Sequence, residues 1–128
     1  EDTHTHLESF QKKGLLSNAL DAAMTAGVNR MITVGTDGED WELYASMAES
    51  RRGTIDYTVG IHPIAVDDDW ETLEGGIRAY FELPHPPIAI GEIGLDRFHL
   101  PKDPTDAERK LQYQKDAFRK QLESLRRL

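Results

Sequence analysis

Cysteine is absent from this 128-residue chain, which excludes a disulfide framework, a thiolate nucleophile and any cysteine-ligated metal centre. No apolar run is long enough to span a bilayer and no signal-peptide pattern opens the chain, so a cytoplasmic protein with no membrane partner is expected. Positive charge is scarce: 15 Lys and Arg stand against 23 Asp and Glu, a net charge of −8. That balance is unlike a protein that holds DNA by neutralising many phosphates, although a bound cation can supply local positive charge at a single phosphoryl group. What is present, 38% apolar and 30% charged residues, suffices for one core, so a single domain over residues 1–128 is expected.

The charge is uneven. Residues 103–128 hold seven Lys or Arg against five Asp or Glu, a net of +2, which leaves −10 on the first 102. Acid collects in Asp37-Gly38-Glu39-Asp40 and Asp67-Asp68-Asp69, each just ahead of a helix-like segment where carboxylates cap backbone N–H groups and complement the helix dipole. The ligand spacing of a calcium loop is absent.

Strand-like and helix-like segments alternate. Ser17 is a good N-cap for a helix through Ala26, and Gly27 stops it. Arg30–Val34 reads as a strand, and Asp37–Arg52 as a helix with Trp41, Tyr44, Ala45 and Ala48 on one stripe. Ile55–Ile61 reads as a strand, Asp69–Phe81 as a helix, and Ile88–Glu92, an apolar run preceded by prolines and ended by Glu92, as a strand buried on both faces. From Pro104 to Leu128 a last helix carries Leu111, Phe118, Leu122 and Leu125 at near-helical spacing. Four strand–helix units with right-handed crossovers predict parallel strands in an α/β fold.

Chemistry-bearing residues stand at the strand ends. On an extended strand His4 and His6 project to one face while Thr3 and Thr5 project to the other, so both imidazoles can reach one ion; two surface histidines near a terminus are the plain alternative. Glu92 closes the fourth strand. A carboxylate at the exit of a buried strand is costly unless it is paired or holds a cation, and Gly91 and Gly94 beside it permit close approach of a ligand. An acid that caps or salt-bridges a loop is the other reading. His62 follows the Ile55–Ile61 run and precedes Pro63. His85 and His99 read as loop residues.

Asp2-Thr3-His4-Thr5-His6-Leu7, Val59-Gly60-Ile61-His62-Pro63 and Gly91-Glu92-Ile93-Gly94-Leu95-Asp96, in this order, resemble the TatD family of metal-dependent deoxyribonucleases within the amidohydrolase-like hydrolases. The segment Gln114–Leu122 is similar to the helix that follows the glutamate strand in that family. The resemblance implies a TIM-barrel-type fold, with His4, His6 and Glu92 as metal ligands, Glu92 as catalytic and able to bridge a second ion, and His62 as a substrate or phosphate contact. It implies divalent cofactors (zinc, magnesium or manganese), up to two in a complete barrel, and DNA or another phosphodiester as substrate.

An eight-unit barrel takes about 250 residues, and the family places two further histidines and an aspartate on later strands. The chain therefore reads as about half of a (βα)8 barrel, expected to be incomplete for catalysis, and to form a homo-oligomer or meet a complementing C-terminal half. Two other readings stand beside the nuclease: a metal-dependent amidohydrolase or esterase on a small substrate, and a non-catalytic, self-associating protein.

Overall fold

The protein, described over residues 1–128 by a computed structural model, is a four-stranded parallel sheet in the order β1-β2-β3-β4 with helices in the connections. The elements are β1 (Asp2–Thr5), α1 (Glu8–Lys12), α2 (Leu16–Thr25), β2 (Met31–Thr33), α3 (Gly38–Ser50), β3 (Ile55–Val59), a 3-10 turn (Pro63–Ala65), α4 (Trp70–Phe81), β4 (Ala89–Ile90) and α5 (Pro104–Leu125). Each strand pairs with the next in sequence. Met31 lies beside Ile55 and Thr33 beside Tyr57; Thr58 lies beside Ala89 and Val59 beside Ile90. β1 and β4 are the two edges.

The period-2 pattern of β3 decides which face is covered. Ile55, Tyr57, Val59 and Ile61 are all 1% exposed or less and share one cluster with Trp41, Tyr44, Met47 and Ala48 of α3, Ile77 of α4 and Ala117 of α5. The opposite parity, Asp56, Thr58, Gly60 and His62, turns away from this layer and runs toward the functional end. The fourth strand is not buried on both faces as its apolar run suggests: Ile88 is half exposed, Ala89 is exposed, and Ile90 packs only in part against the core.

Local chemistry fixes the element ends, and some differ from the expectation. Asp37 caps α3 by accepting from the N–H groups of Glu39 and Asp40 at 3.0 and 3.2 Å, and Asp40 closes a capping box by accepting from Asp37 N–H. Asp37→Ala should therefore cost about 1 kcal/mol, read as a lower denaturant midpoint at unchanged slope. The second acidic cluster behaves otherwise, since Asp69 is the N-cap of α4 but makes no side-chain cap bond. Ser17 is not a cap: α2 begins one residue earlier, at Leu16, behind Leu15. Gly27 does stop α2, with φ of +95°.

The C-terminal helix departs most from its apolar pattern. α5 buries Gln114, Ala117 and Gln121, while Leu122 and Leu125 are nearly half exposed. The glutamines are inside because each satisfies otherwise unpaired loop backbone. Gln121 Oε1 accepts from Ile61 N–H at 2.8 Å, and Gln114 both accepts from Asp96 N–H and donates to Asp96 C=O, at 2.8 and 3.0 Å. α5 thereby anchors the chain just beyond β3 and just beyond β4, the two segments that carry His62 and Glu92.

Candidate metal centre

At the C-terminal ends of the strands the backbone converges. Glu92 N–H donates to Gly35 C=O and His62 N–H to Thr36 C=O, both at 2.8 Å, so the turn after β2 grips the exits of β3 and β4. The Thr58 hydroxyl accepts from Gly35 N–H at 3.1 Å and donates to Gly91 C=O at 2.6 Å, tying β2 to β4 across β3. This close approach requires glycine: a Cβ on Gly60 would sit 2.6 Å from the Gly91 carbonyl carbon, and one on Gly35 would sit 2.5 Å from Thr58 O. Trp41 Nε1–H fastens the Gly60 carbonyl at 2.9 Å.

This scaffold positions Glu92, and His4 and His6 converge on it from β1, whose register with β2 shifts between Asp2 and Thr5, and from just beyond its end. His4 Nε2 and His6 Nε2 are 3.2 Å apart, and they lie 3.5 and 3.8 Å from Glu92 Oε2. Among the titratable side chains these three form a group whose candidate ligand atoms lie within 4.8 Å of one another. An ion held about 2.1 Å from each ligand would space neighbouring ligand atoms by about 3.0 Å in octahedral and about 3.4 Å in tetrahedral geometry. The observed spacings fit a divalent cation after shifts of a few tenths of an ångström. His4 and His6 are exposed and Glu92 half-buried, so the open side of the group faces solvent.

The tautomers follow from the hydrogen bonds. His6 Nδ1 lies 3.0 Å from Val34 C=O; a carbonyl only accepts, so Nδ1 carries the proton and the Nε2 lone pair is aimed at the group, the usual orientation of an imidazole ligand. His62 is the reverse. Its Nδ1 accepts from Ile64 N–H at 3.1 Å, which puts the proton of the neutral ring on Nε2, 3.6 Å from Glu92 Oε1. His62 therefore offers the site a donor rather than a lone pair.

Reasoning from sequence missed the wall behind these residues. A cleft of ≈ 270 Å³ is lined by His6, Glu8, Thr36, Asp40, Tyr44, His62 and Glu92. Asp40 is 2% exposed; both its oxygens accept from Thr36 N–H at 2.9 Å, and the Thr36 hydroxyl donates to it as well. Burial pushes its carboxyl up, against the hydrogen bonds from Thr36, which pull it down. Burial likewise pushes up the phenol of Tyr44, whose oxygen accepts from Glu8 N–H at 3.2 Å. Asp40 belongs to the cluster taken for helix capping, and nothing in the sequence distinguishes its second role. The remaining histidines are loop residues as expected: His85 Nε2 lies 3.5 Å from Asp56 Oδ1, and His99 Nδ1 lies 2.6 Å from Asp96 Oδ2.

Known proteins share this arrangement of elements. The family described as TatD related DNase matches residues 1–128. The chain is 31% identical over 121 residues to YabD of Bacillus subtilis strain 168, an uncharacterized metal-dependent hydrolase, covering 94% of this chain and 44% of that protein. It is 33% identical over 89 residues to the 3'-5' ssDNA/RNA exonuclease TatD of Rahnella sp. strain Y9602, covering 70% of this chain and 33% of that protein. The crystal structure of YjjV, a TatD homologue from Escherichia coli K12, superposes with a TM-score of 0.77 at 26% identity, over 95% of this chain and 44% of that one. The chain thus spans less than half the length of these relatives.

Proposed function

The chain belongs to the TatD-related DNase family, and on that footing we propose that it supplies the strand-end ligands of a divalent-metal-dependent phosphodiesterase acting on nucleic acid. The observation that carries this reading is the convergence of two imidazole Nε2 atoms and one carboxylate within ion-binding distance at the C-terminal ends of parallel strands, the end that carries the site in barrels of this type. The fold it serves is an α/β arrangement matching part of a TIM barrel.

His4, His6 and Glu92 would hold the ion, which when bound polarises a phosphoryl oxygen and acidifies water. Zinc, manganese and magnesium are the candidates, the imidazole pair favouring the first two. His6 presents its lone pair because Val34 C=O takes the Nδ1 proton. His62, with its proton on Nε2, donates to a phosphate oxygen next to Glu92 and so positions the substrate. Glu92 in turn offers a second oxygen toward the cleft, where a water or a further cation would be held.

A substrate panel tests this. Single-stranded DNA, an activated phosphodiester, an activated ester and a lactone are presented to the chain alone and to the chain joined to that part of YabD which it does not match. The joined protein should hydrolyse the two phosphodiesters in a chelator-sensitive way, and Glu92→Gln should lower the rate by at least about a hundredfold. The chain alone should be much slower, because three ligands leave a loosely held ion. Preference for the ester or lactone, insensitivity to chelator, or no hydrolysis in either protein would contradict the reading.

A further inference from the structure

Between β4 and α5 runs the segment Arg97-Phe98-His99-Leu100-Pro101-Lys102. Phe98 is 88% exposed, whereas every other exposed large apolar side chain lies between 39% and 56%. An aromatic ring left this bare forgoes the burial that normally holds it. It is nonetheless not loose. Asp96 Oδ1 accepts from the N–H groups of Phe98 and His99 at 2.8 and 3.4 Å, Asp96 Oδ2 bonds His99 Nδ1, and Gln114 of α5 grips the Asp96 backbone from both sides. His99 packs edge-to-face on Phe98 with ring centroids 4.9 Å apart. The hydrogen bond from His99 holds the Asp96 carboxyl below its ordinary range, so the loop is pinned by an ionised group.

The surroundings are cationic, against the sense of the whole chain. Residues 97–128 hold nine Lys or Arg against five Asp or Glu, a net of +4, which leaves −12 on the first 96. Arg97 and Lys102 flank Phe98, are exposed, and take part in none of the thirteen ion pairs of the structure. A groove lined by Pro63, Ile64, Asp96 and His99 joins this loop to the turn that follows His62.

We propose that Phe98 is a stacking platform for an unpaired nucleobase, with Arg97 and Lys102 holding the phosphates on either side of it, so that a single strand is led along the loop toward His62. A pinned bare ring between two free cations is the chemistry that recognises single-stranded nucleic acid without reading its sequence. A duplex, whose bases are already stacked, has no free face to offer. The proposal rests on the nucleic-acid reading of the site, and it adds a binding surface outside the cleft.

The test is a fluorescence-anisotropy titration of a labelled oligothymidylate of about ten nucleotides in the presence of chelator, so that binding is read without cleavage. Phe98→Ala should weaken binding on the order of tenfold and Phe98→Trp should preserve it. Arg97→Gln with Lys102→Gln should flatten the salt dependence of binding. Because Phe98 buries almost nothing, circular dichroism and melting should be unchanged in its variants. Equal affinity of wild type and Phe98→Ala, no binding by wild type, or equal binding of a duplex would overturn the proposal. So would a self-association that Phe98→Ala removes while leaving strand affinity untouched, because the ring would then serve a protein contact. A chain that cleaves but whose strand affinity ignores Phe98 keeps the hydrolase reading and loses the platform; one that fails to cleave but binds through Phe98 does the reverse.

Discussion

Replacing both His4 and His6 with alanine is expected to lower the affinity of the chain for zinc or manganese by at least about a hundredfold, while leaving the fold intact. The two effects separate because the rings are on the surface: their side chains are 56% and 44% exposed, and neither belongs to the core cluster. Their loss removes two of the three converging ligand atoms and leaves Glu92 as a lone carboxylate. Calorimetric titration reads the affinity directly. Melting gives an independent check, since an ion at about one hundred times its dissociation constant stabilises the native state by about 2.7 kcal/mol. Wild type should show that increment and the double variant should not. Equal affinities would mean that the cation sits elsewhere.

Gly60→Ala should produce a large loss of stability. The new Cβ would meet the Gly91 carbonyl carbon, oxygen and Cα at 2.6, 2.8 and 2.9 Å, all of them backbone atoms that no side-chain rotation can move. Relief requires β4 to slide from β3, against the bonds from Gly91 N–H to Val59 C=O and from Thr58 Oγ1 to Gly91 C=O. A cost of about 3 kcal/mol is expected, a drop in melting temperature of about 10 °C for a domain of this size. Because Glu92 follows Gly91, metal affinity should fall too, although no ligand has been changed. Gly75→Ala is the control: nothing lies within 4 Å of its added Cβ and it sits inside a helix, so alanine there should be neutral or stabilising. If Gly60→Ala melts with wild type, the close approach of the two strands is not what positions Glu92.

The strand–helix alternation was legible because the apolar residues of β3 keep one period and are buried, as are Trp41, Tyr44 and Ala48 of the α3 stripe, with Ala45 only partly so. The convergence of His4, His6 and Glu92 was legible for a different reason: they are chemistry-bearing residues spaced at strand ends, although Glu92 follows a partly exposed strand rather than a buried one. Helix α1 gave no signal, since its five residues bury nothing. The buried face of α5 was misjudged because hydrophobic periodicity points to leucines, whereas the loops after β3 and β4 need the amides of Gln121 and Gln114. That need exists only once the loops are folded. The same holds for Asp40, whose partners on Thr36 come from a turn, and for His62, whose proton is placed by the N–H of Ile64.

Anomalous diffraction from crystals of the chain grown with manganese locates the ion and its ligands. One anomalous peak is expected at the C-terminal ends of β1 and β4, about 2.1–2.3 Å from His4 Nε2, His6 Nε2 and a carboxylate oxygen of Glu92, with His6 Nδ1 still bonded to Val34 C=O. A peak at another site, or no peak at saturating manganese with the two imidazoles turned apart, would contradict this three-ligand site.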